Sequence, residues 1–385
     1  MSLLSRLQTR RPAAHALPAP PDHNDLGARI SRTINDALAS AGLLRAPEQA
    51  PRVVAPKINA VAAPALDWDA PPPAPLPGTF LEHSFSHPAG TRNYKLYIPA
   101  SYDAGSESAY PLVLMLHGCT QSPDDFAAGT RMNALADQQG FLVAYPAQSP
   151  NANGSRCWNW FRPGDQGRAA GEPALLAGLT RELVERHAVD PQRVYVAGLS
   201  AGAAMAVILG ATHPELYAAV GAHSGLPYRA ARDVPSAFAA MGGTHALREV
   251  AEETDAQSRQ RKRPPAPVVP LIVFHGDADH TVAAANGEAL VKQATGAASE
   301  VLPTTRERRR SGNGRSYTRS VYTTALGEPL VEYWQLHGAG HAWSGGSSQG
   351  TYTDPQGPDA SAEMVRFFLQ LKRQQPPAAG ASSPA

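Results

Sequence analysis

The stretch VYVAGLSAG, from Val194 to Gly202, decides the fold. A run rich in β-branched residues ends in Gly198-Leu199-Ser200-Ala201-Gly202, and Ala203 to Leu209 (AAMAVIL) then supplies helix formers. A GxSxG pentapeptide between a strand and a helix puts the serine on a sharp turn whose flanks exclude larger side chains, so its Oγ projects from the sheet edge. Ser200 is therefore the candidate nucleophile.

A serine hydroxyl reacts poorly at neutral pH, so this turn calls for a histidine base, a carboxylate to orient it and backbone donors for an oxyanion. In a strand–turn–helix serine site the carboxylate and then the histidine follow the serine, and the oxyanion loop precedes it. Downstream, the apolar run Val268 to Phe274 leads into His275-Gly276-Asp277-Ala278-Asp279. That places two competing aspartates at the carboxyl edge of a parallel sheet, where open α/β sheets carry their sites. Further on, Leu330 to Leu336 reads as a strand followed by His337-Gly338-Ala339-Gly340-His341. Of the 13 histidines, His341 is the favoured base, because glycines at 338 and 340 let that loop swing a side chain back over the sheet edge. Upstream, Pro111 to Leu116 leads into His117-Gly118-Cys119-Thr120-Gln121. The residue after such an HG turn and the residue after the nucleophile supply the oxyanion donors, here the N–H groups of Cys119 and Ala201.

HGCTQ at 117–121, CWNWF at 157–161, RVYVAGLSAGAAM at 193–205, HSGLPY at 223–228, the HGDAD turn and GAGHAW at 338–343 together resemble the polyhydroxybutyrate depolymerase family of esterases, over about residues 79–372. Alternating strand and helix signals along the chain give a mostly parallel central sheet with helices on both faces and a small cap insertion, and the resemblance implies that this is an α/β-hydrolase fold. It implies a triad of Ser200, Asp279 and His341, with Cys119 at the oxyanion hole, and the spacing HGxxDxxV selects Asp279 over Asp277. Asp277 is then expected to tie the turn through its own backbone. In that family cysteines placed like Cys119 and Cys157 are commonly disulfide-linked. Trp158, Trp343 and Gln121 are the expected substrate contacts, since flat apolar walls suit an aliphatic polyester. Phe161 reads equally well as core.

The implied activity is hydrolysis of poly(3-hydroxybutyrate) or its oligomers. Alternatives are a feruloyl or acetylxylan-type carbohydrate esterase and a non-catalytic polymer-granule-binding protein. No cofactor or metal is expected, because two widely spaced cysteines without a histidine pair make a poor zinc site.

Composition fits one large globular domain: 385 residues, 43% hydrophobic and 17% charged, with a formal net charge of +1 that gives no reason to invoke nucleic acid. Residues 1–45 read as an N-terminal extension in which Leu26, Ile30, Ile34, Leu38 and Ala41 recur at helical spacing, followed by a Pro/Ala-rich linker at 46–78. That helix is expected to dock on the catalytic domain or stay disordered rather than bind a granule surface. The catalytic domain spans 79–372, with 229–265 placed to form a cap, and 373–385 reads as a disordered tail. Basic clusters at Arg259 to Arg263 and Arg306 to Arg310 read as solvated loops. No apolar stretch is long enough to span a membrane, nor is there a leader-like apolar segment, so the expected compartment is the cytoplasm. The cysteine pair is the argument for an extracellular one.

Overall fold

The computed structural model describes residues 76–105, 109–243, 269–298 and 301–373. The predicted N-terminal helix, the linker up to residue 75, most of the predicted cap, the Arg259 to Arg263 cluster and the tail from residue 374 lie outside the described residues.

A ten-stranded sheet forms the frame. Its members are β1 (Thr79–His87), β2 (Gly90–Ile98), β3 (Tyr110–Leu116), β4 (Leu142–Pro146), β5 (Val189–Leu199), β6 (Ala219–His223), β7 (Leu271–Gly276), β8 (Thr304–Arg310), β9 (Ser316–Thr323) and β10 (Pro329–Leu336). They lie in the order β1-β2-β4-β3-β5-β6-β7-β10-β9-β8. The central strands β4, β3, β5, β6, β7 and β10 pair in parallel. Antiparallel strands close both edges: the hairpin β1–β2 on one side, and β9 with β8 on the other.

Period-2 alternation sorts the side chains onto two faces. Leu112, Leu114 and Leu116 of β3 join Val194 and Val196 of β5 against α3 (Gly171–Arg186), α4 (Ala201–Thr212) and α6 (Ala285–Gly296). Val113 and Met115, with Tyr195 and Ala197, face α1 (Pro123–Thr130), α2 (Met132–Gln139) and α7 (Ala360–Leu369). Because both faces are covered, the central strands are apolar throughout rather than alternating. Burial of each large side chain stabilises the fold by roughly 1.5–3 kcal/mol.

The order reverses between β3 and β5, since the chain runs from β3 outward to β4 and then returns to lay β5 on the other side of β3. Loops leaving such a switch point diverge and open a crevice. The loops after β3 and β5 are the ones that carry Cys119 and Ser200.

The Arg306 to Arg310 cluster departs from its expected loop conformation. It forms the edge strand β8, paired antiparallel with β9 from Thr304↔Tyr322 to Arg310↔Ser316. Exposed charge on an outer strand blocks edge-to-edge association, so a run that looks like solvated loop is compatible with an edge position. The next strand is tied down by Arg319, whose guanidinium reaches Glu332 of β10 at 3.0 Å and Glu307 of β8 at 3.3 Å.

Candidate active site

Ser200 adopts φ 57° and ψ −119° between the end of β5 and the start of α4. A side chain at φ in this range is strained, and the surrounding packing holds it there. The flanking glycines have a steric cause. A Cβ at Gly202 would lie 2.0 Å from the Leu116 carbonyl oxygen, and one at Gly198 would lie 2.4 Å from the Gly202 carbonyl carbon. The Ser200 N–H donates to the His223 carbonyl at 2.9 Å, anchoring the turn to β6.

His341 Nδ1 lies 2.8 Å from Asp279 Oδ2, with both side chains buried. The other carboxylate oxygen accepts the N–H groups of Thr281 at 3.0 Å and Val282 at 2.8 Å. Burial alone would raise the Asp279 pKa. The neighbouring His341, then His275 and the Val282 N–H, overcome that and hold it at about 2. The carboxylate is thus charged and aimed at Nδ1, which leaves Nε2 of His341 for the cleft.

The loop after β3 is braced from several sides. Cys119 is disulfide-bonded to Cys157, with Cα atoms 4.2 Å apart. The Thr120 N–H donates to Ser155 O at 2.7 Å and the Gly118 N–H to Gln121 Oε1 at 2.9 Å. His117 donates from Nδ1 to the Gly118 carbonyl at 2.7 Å and accepts the Gln148 N–H on Nε2 at 3.1 Å. Burial pushes its pKa down to about 4, so it is neutral and structural. Among the described residues the N–H groups of Cys119 and Ala201 have no protein acceptor, and both residues line the same cleft as Ser200 and His341.

The rest of that cleft is largely apolar. Trp160, Phe161, Leu226 and Val282 line it, together with Phe238 and Met241 of α5 (Val234–Met241). This helix is what the described residues show of the expected cap, and it is fixed at both ends. Asp233 caps its start with Ser236, while at its end Ala283 N–H donates to Met241 O at 2.8 Å and Asn286 Nδ2 to Ala240 O at 2.9 Å.

The structure corrects the three expected substrate contacts. Trp158 is fully buried beneath the site, its indole N–H donating to the His117 carbonyl at 3.1 Å. Trp343 is equally buried on the α1 side of the sheet between Phe126 and His223, and it donates to Ser361 Oγ at 3.0 Å. Gln121 turns inward as well, its amide nitrogen donating to Asp125 Oδ2 at 2.8 Å and to the Thr351 carbonyl at 3.1 Å. Buried indole and amide groups need such partners, and all three residues spend their polar atoms on scaffolding. Trp160 and Phe161, from the same CWNWF motif, face the cleft instead.

Asp277 also differs from its expected role. Rather than closing its own turn it reaches the loop after β10, with Oδ2 2.8 Å from His337 Nδ1 and Oδ1 accepting the Gly338 N–H at 2.6 Å. Among the described residues no group of three or more His, Cys, Asp or Glu side chains is arranged to hold a metal, and no helix is long and apolar enough to cross a membrane.

Poly(3-hydroxyalkanoate) depolymerase C of Paucimonas lemoignei is 33% identical over 268 residues, 69% of this chain and 61% of that protein. Poly(3-hydroxybutyrate) depolymerase of Ralstonia pickettii is 35% identical over 34% of this chain and 28% of its own length. The chain thus spans less than two thirds of either depolymerase. Feruloyl esterase B of Neurospora crassa is 29% identical over 66% of this chain and 85% of its own length. Among solved structures, acetyl xylan esterase from Aspergillus awamori shares the fold, with a TM-score of 0.56 at 18% identity over 76% of this chain and 99% of that one. The family described as Esterase PHB depolymerase matches residues 92–319, and the chain belongs to that family.

Proposed function

We propose that this protein is a serine esterase that hydrolyses ester bonds of poly(3-hydroxybutyrate) or its oligomers through an acyl-enzyme. One observation carries the reading: a strained serine, a buried carboxylate–imidazole pair and two backbone N–H groups without acceptors converge on one apolar cleft.

In the proposed cycle His341 Nε2 takes the Ser200 proton as Oγ attacks the ester carbonyl. The N–H groups of Cys119 and Ala201 hold the oxyanion, and Asp279 stabilises the imidazolium. The imidazolium gives its proton to the departing alcohol oxygen. Water, deprotonated by His341, then attacks the acyl-enzyme, and the proton returns to Ser200 Oγ as the acid leaves. The apolar walls from Trp160, Phe161 and α5 suit an uncharged acyl group.

A second reading, a feruloyl or acetylxylan-type esterase, is favoured by the extent of the match to feruloyl esterase B, which covers 85% of that protein. Assays on hydroxybutyrate oligomers, amorphous polyhydroxybutyrate, methyl ferulate and acetylated xylan, with Ser200→Ala as control, separate the two. Ser200-dependent release of hydroxybutyrate supports the polyester reading, and activity confined to ferulate or acetyl esters overturns it. The Cys119–Cys157 bond is compatible with an extracellular site of action. Trapping free thiols with an alkylating reagent as the protein's own cells are lysed, and counting adducts by mass, decides the compartment, with two alkylated cysteines fitting the cytoplasm and none an oxidising environment.

A further inference from the structure

Two residues with left-handed backbones meet at the rim of the cleft from loops far apart in sequence. Thr120 has φ 67° and Tyr352 has φ 53°. Neither is glycine, and such strain persists only where surrounding structure enforces it. Their hydroxyl oxygens lie 3.1 Å apart, and Thr120 Oγ1 lies 2.6 Å from the Cys119 carbonyl oxygen. A threonine hydroxyl has one proton, and here it goes to that carbonyl, so Tyr352 must be the donor in the other bond. The result is a directed row, Tyr352 O–H to Thr120 O–H to Cys119 C=O.

The row fixes the peptide that follows Cys119 and so restrains this cleft-lining residue from its carbonyl side, while the preceding peptide, which carries the Cys119 N–H, is held at the Gly118 carbonyl by His117 Nδ1. Tyr352 is held from its other side by the loop that carries the base, since its carbonyl accepts the Trp343 N–H at 2.6 Å, two residues beyond His341. Its side chain also lines the cleft. One tyrosine therefore ties the proposed oxyanion loop to the proposed acid–base loop.

We propose that Tyr352 and Thr120 are positioning residues, a hydroxyl row that sets the direction of the Cys119 N–H and so the stabilisation of the oxyanion. The inference rests on the serine-esterase reading above. Donors matter in such a hole only when aimed at where charge develops, and outright removal of one costs about 10²–10³ in turnover. Loss of its bracing should cost a fraction of that, about tenfold.

The test compares Tyr352→Phe, Thr120→Val, the double variant and Thr120→Ser in hydrolysis of p-nitrophenyl butyrate, with phenylboronic acid as an inhibitor whose tetrahedral adduct places an oxygen in the hole. Each hydroxyl-deleting single variant should lower kcat about tenfold with KM within about twofold, and weaken boronate inhibition by a similar factor. The double variant should be no worse than the poorer single, and Thr120→Ser should retain wild-type kcat. Unchanged kcat in Tyr352→Phe, a change in KM alone, or multiplying losses in the double variant would overturn the row. If Tyr352→Phe does not fold, the contrast between Thr120→Val and Thr120→Ser decides the same question. Loss of the row's effect with wild-type activity still Ser200-dependent leaves the esterase reading standing, whereas Ser200-independent hydrolysis removes that reading itself.

Discussion

Two carboxylate–histidine pairs, Asp279–His341 and Asp277–His337, join the same two loops at the same 2.8 Å distance. The outer pair even continues to a hydroxyl, because His337 Nε2 lies 2.8 Å from Thr318 Oγ1. By spacing alone it is the more complete relay. The differences lie in the surroundings. Asp279 is buried and its second oxygen holds two backbone N–H groups, whereas Asp277 is about a third exposed. Burial raises the Asp277 pKa less than His337 and the Gly338 N–H lower it, so both carboxylates are charged. Thr318, however, sits in the middle of β9, outside the cleft and away from the acceptor-free N–H groups of Cys119 and Ala201. A hydroxyl, an imidazole and a carboxylate in a row are therefore not sufficient. The inner pair gains its proposed role from the strained elbow and the acceptor-free N–H groups that share its cleft.

The comparison can be broken most sharply at the nucleophile. Ser200→Ala should lower kcat by roughly 10⁶-fold with the fold intact by circular dichroism, while Thr318→Val should leave kcat within about twofold. Asp279→Asn should cost roughly 10⁴-fold, because the amide no longer selects the imidazole tautomer with Nε2 free to accept a proton. Asp277→Asn should change kcat less than about twofold and stability by at most about 1 kcal/mol, as expected for a part-exposed ion pair. Equal losses in the two Asp variants would erase the distinction. Replacing Cys119 and Cys157 together by serine should lower stability by about 2–4 kcal/mol in urea titrations and reduce kcat as the oxyanion loop loosens.

A smaller effect sharpens the contrast between buried and exposed histidines. Burial lowers His117 and His213 to about 4 and His223 to about 3, from an ordinary 6.5. The unfolded chain therefore binds more protons than the folded one between these values. The stability these neutral rings confer is complete above about pH 6.5 and drains away as pH falls through 4 to 3. Tm measured against pH should decline through this window, and His223→Gln should decline less steeply.

The elbow was legible in sequence because the GxSxG pattern between a strand and a helix marks it, even though the space that requires Gly198 and Gly202 is closed partly by the Leu116 carbonyl of β3. His341 was legible because chain order and two loop glycines identify it, and the depolymerase-like HGxxDxxV spacing points to the aspartate found against it. The wall of the cleft was not. Trp158 and Trp160 are two residues apart in one irregular loop, and nothing local states which of them turns under the sheet and which faces out. Trp343, two residues beyond His341, is drawn instead into the opposite core by Phe126, His223 and Ser361, which come from three other segments. Gln121 depends on Asp125 and Thr351, the latter 230 residues away. In β8 the arginines mask the strand pattern, because an edge strand with both faces wet has no alternation to display.

The most direct test is covalent capture of the nucleophile. The intact protein is treated with a fluorophosphonate ester and the adduct located by peptide mass mapping. One adduct on Ser200 is expected, formed at the wild-type rate in Asp277→Asn and His337→Gln, slowed by orders of magnitude in Asp279→Asn and absent in Ser200→Ala. Undiminished ester hydrolysis by Ser200→Ala, or an adduct on Thr318 or any residue other than Ser200, would contradict the account.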